Sequence, residues 1–161
     1  MTMRSPRRHG PIAIDAADLP LLLAHKWCRD QRAYLRRIVT VAERTREWVY
    51  LHRLIAGDKQ GFLVDHISRD TMDNRRCNLR LATARQNTIN AMKPNKIGLR
   101  GVFRSGCKYG AKIRLNVGRG PVHLGRFCTA EEAAKAYDVA ARQHHGAFAV
   151  TNYPAADAGS R

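Results

Sequence analysis

The chain has 161 residues and a formal net charge of +16, with 29 lysines and arginines against 13 aspartates and glutamates. Hydrophobic residues make up 44%, enough for compact cores, which excludes wholesale disorder; at about 150 residues per domain the length allows one ordinary domain or two small ones. The best membrane candidate, residues 19–24, falls well short of the roughly 18 apolar residues of a span, and Asp15 and Asp18 interrupt what would be the apolar core of a signal peptide behind the basic start at 4–8, so neither a membrane nor a secreted protein is expected and the location expected is cytoplasmic.

The charge points to a polyanion. Arginine outnumbers lysine 22 to 7, and guanidinium forks suit phosphate oxygens. Codon bias in an alanine- and arginine-rich chain accounts for arginine over lysine but not for the excess of cations over anions. That excess is five over residues 1–50, five over 51–96 and six over 97–161, so no single tail carries it. Cys28, Cys77, Cys107 and Cys128 form no Cys-x-x-Cys pair; neither structural zinc nor a disulfide is expected.

In chain order, residues 1–50 open with a basic tail, followed by a short strand at 11–14. Asp15 is placed to cap a helix over 16–25 with Leu19, Leu22 and Leu23 on one face. Residues 33–41 and 47–51, rich in aromatic and β-branched side chains, read as a hairpin, with Trp27 and Trp48 as core residues. Residues 51–92 form the most informative stretch. Phe62-Leu63-Val64-Asp65-His66-Ile67 is a strand-like run carrying an acid and an imidazole. Asp73-Asn74-Arg75-Arg76-Cys77-Asn78-Leu79-Arg80 is a polar turn entering a second strand, and Thr83 with Gln86 makes a capping box for a helix that carries Asn87 and Asn90. Neighbouring strand residues point to opposite faces, so Asp65 and His66 serve one site only if the strand ends, twists or bulges there.

Leu51-His52-Arg53-Leu54-Ile55, Val64-Asp65-His66, Asp73-Asn74-Arg75, Asn78-Leu79-Arg80 and Thr83-x-x-x-Asn87-x-x-Asn90 resemble the HNH endonucleases, particularly the phage homing type, in which two strands and a helix hold one divalent metal. The resemblance puts the H-N-H letters on His66, Asn78 and Asn87. It implies His66 as general base, Asn78 as the acceptor that fixes its tautomer, and Asp65 with Asn87 as oxygen ligands for Mg²⁺ or Mn²⁺. Arg53, Arg75, Arg76 and Arg80 read equally as phosphate contacts or as a solvated basic face. His52 reads as a DNA contact or as a packed or backbone-bonded histidine. Residues 93–97 are a linker.

Residues 98–154 read as three strands, 99–104, 109–116 and 122–127, with turns at Ser105-Gly106 and Gly118-Arg119-Gly120. The middle strand alternates, with Tyr109, Ala111, Ile113 and Leu115 on one face and Lys112 and Arg114 on the other. Thr129-Ala130-Glu131-Glu132 starts a helix that Gly146 stops, with Ala133, Tyr137, Ala140 and Ala141 toward the sheet. Residues 155–161 are a small-residue, mobile tail.

Arg100-Gly101-Val102, Ala111-x-Ile113-Arg114, Leu124-Gly125-x-Phe127-x-Thr129-Ala130-Glu131-Glu132, Tyr137-Asp138 and Asn152-Tyr153-Pro154 resemble the APETALA/ethylene-response-factor DNA-binding domain. The resemblance implies a three-stranded sheet laid in the major groove and backed by one helix, with Arg100, Arg104 and Arg114 as DNA contacts. Tyr109 stands where plant members usually have tryptophan and Lys112 where they usually have glutamate, so a plant sequence preference does not carry over.

The expected fold class is α+β: a small N-terminal α+β segment, a ββα-metal HNH unit, then a three-stranded antiparallel sheet packed on one helix. The expected function is a monomeric, metal-dependent homing-type endonuclease on double-stranded DNA, with His66 and Asn78 catalytic, Asp65 and Asn87 on the metal, and Arg75, Arg80, Arg100, Arg104, Lys112 and Arg114 on DNA; no small-molecule substrate is expected. The alternative is a non-catalytic DNA-binding regulator with the HNH segment as scaffold. A general RNA-binding protein lacks the aromatic stacking pattern of single-strand readers.

Overall fold

A computed structural model describes residues 2–4, 11–91, 95–115 and 119–154. The chain divides into two units, Met1–Ala84 and Arg85–Arg161. The expected linker at 93–97 falls partly, and the carboxy-terminal tail wholly, outside the described residues, as does Gly118 of the expected turn.

The first unit opens not with a bare basic tail but with a strand. β1 (Thr2–Arg4) pairs antiparallel with β2 (Pro11–Ala13), Met3 opposite Ile12. The Asp15 side chain does not cap a helix. A 3₁₀ turn at Ala16–Asp18 leads into a short α1 (Leu19–Leu23), with Pro20 in its first turn, where a missing N–H costs nothing. Leu19, Leu21 and Leu22 pack on the core, whereas Leu23 is 68% exposed. β3 (Cys28–Arg29), β4 (Leu35–Ala42) and β5 (Thr45–Tyr50) form an antiparallel sheet in sequence order. Trp27 does join the core, its indole N–H donating to the Leu22 carbonyl at 3.0 Å. Trp48 does not: it is 44% exposed, with the Arg36 guanidinium 3.7 Å above its ring.

α2 (Leu51–Ala56) follows β5 and buries Leu51, His52 and Ile55, one helical stripe. β6 (Leu63–His66) and β7 (Leu79–Ala82) form a two-stranded antiparallel sheet. The core of Ile12, Ile14, Leu35, Leu51, Ile55 and Met72 draws on the N-terminal segment, the hairpin, α2 and the β6–β7 loop together. Two backbone bonds stitch β2 to that loop: Ala13 N–H donates to the Met72 carbonyl at 3.0 Å and Asn74 N–H to the Ala13 carbonyl at 2.8 Å. α3 (Ala84–Asn90) begins directly after Thr83.

In the second unit the sheet order is β10-β9-β8, all antiparallel: β8 (Val102–Ser105), β9 (Lys108–Ile113) and β10 (Val122–Phe127). The first strand starts three residues later than its apolar pattern predicts, because Gly101, at φ +76°, turns the chain there. A β-carbon on Gly101 would lie 2.0 Å from the Tyr137 ring, so a side chain there would push strand and helix apart. α4 (Ala130–His145) carries the expected capping box: Thr129 Oγ1 accepts from Glu132 N–H, and Glu132 Oε2 accepts from Thr129 N–H, both at 3.2 Å. Ala133, Ala134, Tyr137, Ala140 and Ala141 are buried, and this small-residue face lets α4 lie close on the sheet. Asp138, at 2% exposure, accepts from the N–H groups of Asn152 (2.8 Å) and Tyr153 (2.9 Å) and from the Asn152 amide (3.0 Å), fastening the chain end to α4. The architecture is α+β. Among the described residues no helix is long and apolar enough to cross a membrane.

Candidate active site and basic sheet face

β6 brings Asp65 and His66 to its carboxy-terminal end, and the register sets Asp65 opposite Arg80 and His66 opposite Leu79. The strand ends at His66, which meets the condition that adjacent side chains need if they are to serve one site. Both are buried, His66 to 3% exposure. The twelve-residue loop between the strands is tied down from within. Ile67 N–H donates to the Asn78 carbonyl at 2.8 Å, and Asp70 Oδ1 accepts from Met72 N–H at 2.9 Å.

Asn78 is part of this fastening. Its Oδ1 accepts from Ser68 N–H and its Nδ2 donates to the Asp73 carbonyl, both at 2.8 Å. The carboxamide therefore bonds two stretches of loop backbone in place of the imidazole nitrogen the sequence reading assigns to it.

His66 instead meets rings. Its centroid lies 5.2 Å from that of His52 and 5.7 Å from that of Tyr34; His52 in turn lies 5.0 Å from Tyr34 and 5.5 Å from Tyr50. Burial pushes the His66 pKa below that of a free imidazole, opposed by the Asn74 side chain and by the carboxylates of Asp65, Asp70 and Asp73. His52 is pushed further, to about 3, by burial and then by His66 and Arg53. Burial, and next the Asp65 charge, raise the Tyr34 phenol. The site therefore keeps a neutral imidazole beside a carboxylate.

The arginines expected on phosphate have protein partners. Arg75 forks onto Asp73, Nε to Oδ1 at 2.8 Å and Nη2 to Oδ2 at 2.6 Å, and this contact holds the Asp73 carboxyl below its ordinary range. Arg76 forks onto Asp18 at 2.8 and 2.6 Å, while its N–H donates to Asp15. Arg80 Nε donates to Asp65 Oδ2 at 2.9 Å. Arg75 and Arg76 keep exposed edges; Arg80 is largely buried.

Asn87 lies half-buried on α3, within the second unit. A divalent ion of the kind the HNH likeness implies takes hard oxygen donors. Asp65 fits such a role, being a buried carboxylate already matched to a cation, and Asn87 offers a carboxamide oxygen. Among the described residues no three His, Cys, Asp or Glu side chains gather as a metal cage.

On the second unit, the face of the sheet turned away from α4 carries Lys112, His123, Phe103 and Arg126. The Phe103 ring lies across Gly110, where a β-carbon would come within 2.3 Å of it, with the Lys112 ammonium 4.9 Å from its centroid and His123 edge-on at 5.7 Å. Lys112 and Arg114 are exposed and share parity. Arg104 is exposed but pairs with Tyr109, so it sits on the parity of the helix-facing residues, its guanidinium 5.9 Å from the Tyr109 ring. The Arg100 guanidinium bonds protein groups. Its Nε donates to the Tyr137 hydroxyl at 2.9 Å, Nη1 donates to the Ala91 carbonyl at 2.9 Å, and Nη2 reaches the Ile89 carbonyl.

Sequence reasoning did not place Tyr34 or Asn74 beside His66, and left His52 without a neighbour. The signal available was the apolar stripe Leu51, Ile55 on α2, which carries His52 inward with it.

Residues 49–89 match the HNH endonuclease family model, a span that includes Asp65, His66, Asn78 and Asn87. A protein of Acanthamoeba polyphaga mimivirus described as an uncharacterized HNH endonuclease is 28% identical over 149 residues, 91% of this chain and 77% of that protein. An ethylene-responsive transcription factor of Arabidopsis thaliana is 52% identical over 46 residues, which is 29% of this chain but 18% of that protein. Residues 49–89 are thus similar to the HNH endonuclease family, which supports a nuclease function, and a further stretch is similar to part of a transcription factor.

Proposed function

We propose that the chain is a metal-dependent, homing-type endonuclease that hydrolyses phosphodiester bonds in double-stranded DNA. The observation that carries this reading is the buried His66 imidazole at the end of β6, kept neutral by its surroundings and adjacent in sequence to Asp65. A neutral imidazole takes a proton from the attacking water. Asn78 and the loop it fastens hold His66 in place. Asp65 and the Asn87 carboxamide would be the oxygen donors to a divalent ion, Mg²⁺ or Mn²⁺, which would supply neutralisation of the charge developing on the phosphate and its leaving oxygen. The exposed Lys112 and Arg114 form the DNA-reading face of residues 98–154, and the exposed Arg104 lies on the opposite parity of the edge strand β8, where it meets DNA only by reaching round that edge.

Supercoiled plasmid incubated with the full chain and Mg²⁺ or Mn²⁺ is expected to convert to nicked or linear DNA, and EDTA to stop it. Tight duplex binding with no cleavage under either metal would overturn the nuclease assignment and leave a DNA-binding regulator.

A further inference from the structure

We propose that Arg80 is the resident counter-cation of Asp65 and competes with the divalent ion for that carboxylate. The inference rests on the assignment of Asp65 as a metal ligand and concerns how that site is held ready.

Arg80 sits directly across the β6–β7 ladder from Asp65, and directly opposed residues of an antiparallel pair project on one face. The Nε–Oδ2 distance is 2.9 Å with side-chain exposures of 16% and 6%. The other ion pairs of this unit differ: in the pairs made by Arg53, Arg75 and Arg76 the arginine is 39%, 47% and 60% exposed. Screening by water makes such pairs weak, whereas the Arg80–Asp65 pair is largely desolvated, where charge couples strongly.

A guanidinium stays protonated at any working pH. Arg80 therefore cannot give up its charge as a divalent ion approaches; it shares Asp65 or leaves it. Without metal it sets a matching charge beside the buried Asp65 carboxylate, and removing one partner of a buried ion pair is destabilising. With metal, each cation weakens the hold of the other on Asp65, since coupling between two bound groups is reciprocal. The strand register thus builds in a metal affinity lower than Asp65 alone would provide.

The test uses the full chain and Mn²⁺ alone as the probe, reading free Mn²⁺ by electron paramagnetic resonance, with thermal melts to verify folding. Arg80→Gln keeps a donor and removes the charge, and is expected to bind Mn²⁺ at least about fivefold tighter, the lower end of ordinary coupling between sites. Equal or weaker binding by a folded Arg80→Gln would overturn the proposal. Asp65→Asn run in parallel is expected to lose binding. If it binds as wild type does, Asp65 is not a ligand, and both the metal assignment and this inference fall; if only the Arg80→Gln result fails, the metal assignment stands. Should Arg80→Gln not fold, the wild-type chain carries the test. Saturation with Mg²⁺ should shift the Arg80 Nε–H resonance and speed its exchange with solvent. An unmoved resonance at saturation would overturn the proposal.

Discussion

The two units bury polar groups for different ends. In the first, Asp18, His52, Asp65, His66, Asp73, Asn74 and Asn78 are buried; in the second, among the described residues, Asn90 and Asp138. Asp138 is saturated by backbone and amide donors and works as a clasp. In the first unit, imidazole faces imidazole, and His52 Nδ1, Arg36 Nε and Arg37 Nε are buried with no hydrogen-bond partner. Each such atom costs about 1–3 kcal/mol. Among the described residues those costs fall in the first unit, and its buried, perturbed titratable groups mark it as the candidate for chemistry.

The largest expected effect tests that division at His66. His66→Ala should lower plasmid cleavage by about 10²–10⁴-fold, the usual contribution of a positioned general base, while duplex binding by gel shift persists. Undiminished cleavage would remove His66 from the mechanism. The rate should also lose its acid limb at a pH below the ordinary imidazole value of 6.5, because burial lowers the His66 pKa; an inflection above 6.5 would contradict the buried setting.

Next in size is acid sensitivity. His52 has a folded-state pKa of about 3 against 6.5 for the free group. Between those values the unfolded chain binds the extra proton, so the contribution of neutral His52 is fully present above about pH 6.5 and is lost as pH falls toward 3, a change on the order of a few kcal/mol. His52→Phe, which keeps a ring in the same space, should flatten the fall in melting temperature across that window. An unchanged pH profile would mean that other groups drive the acid response. The counterpart in the second unit is Asp138→Ala, which strips an acceptor from three donors. It should destabilise that unit by about 1–3 kcal/mol through the groups left unpaired, measured by denaturant unfolding.

The same contrast governs what the sequence makes legible. α4 is written in local signals: Thr129 and Glu132 start it, Gly146 stops it, and its small-residue face is visible as a spacing. β6 and β7 are likewise legible as apolar runs around a polar turn, with Asp65 and His66 at a strand end. What escapes is partner choice over long separations. Asp15 looks like a helix cap but accepts from Arg76 N–H, 61 residues away, and Asp18 beside it takes the Arg76 guanidinium, because the β2 strand packs beside the β6–β7 loop. Trp48 looks like core, yet its strand leaves that face exposed and Arg36 stacks on it. Arg80 and Arg100 look like surface cations until the register and α4 supply Asp65 and Tyr137. Asn78 reads as a partner for His66 because the motif sets the two at a familiar spacing, but spacing does not say which of several nearby backbone groups its amide will take.

The smallest expected effect separates two arginines of the second unit. Arg114 is exposed on the parity of Lys112, whereas the Arg100 guanidinium bonds Tyr137 and the carbonyls of Ile89 and Ala91. Arg100→Ala should therefore appear first in the melting curve, and in DNA affinity only as far as the unit loosens. Arg114→Ala should leave the melt unchanged and act on binding alone. If Arg114 reads a base edge, its loss costs about 1–3 kcal/mol at the preferred site and relaxes selectivity there. If it touches phosphate, binding weakens equally on all duplexes and the salt slope falls by about one unit. Affinity measured against salt on specific and scrambled duplexes distinguishes the two. An Arg114→Ala protein with unchanged affinity, selectivity and salt slope would show that the exposed sheet face does not meet DNA at that point, and the positive charge of the second unit would need another surface on which to act.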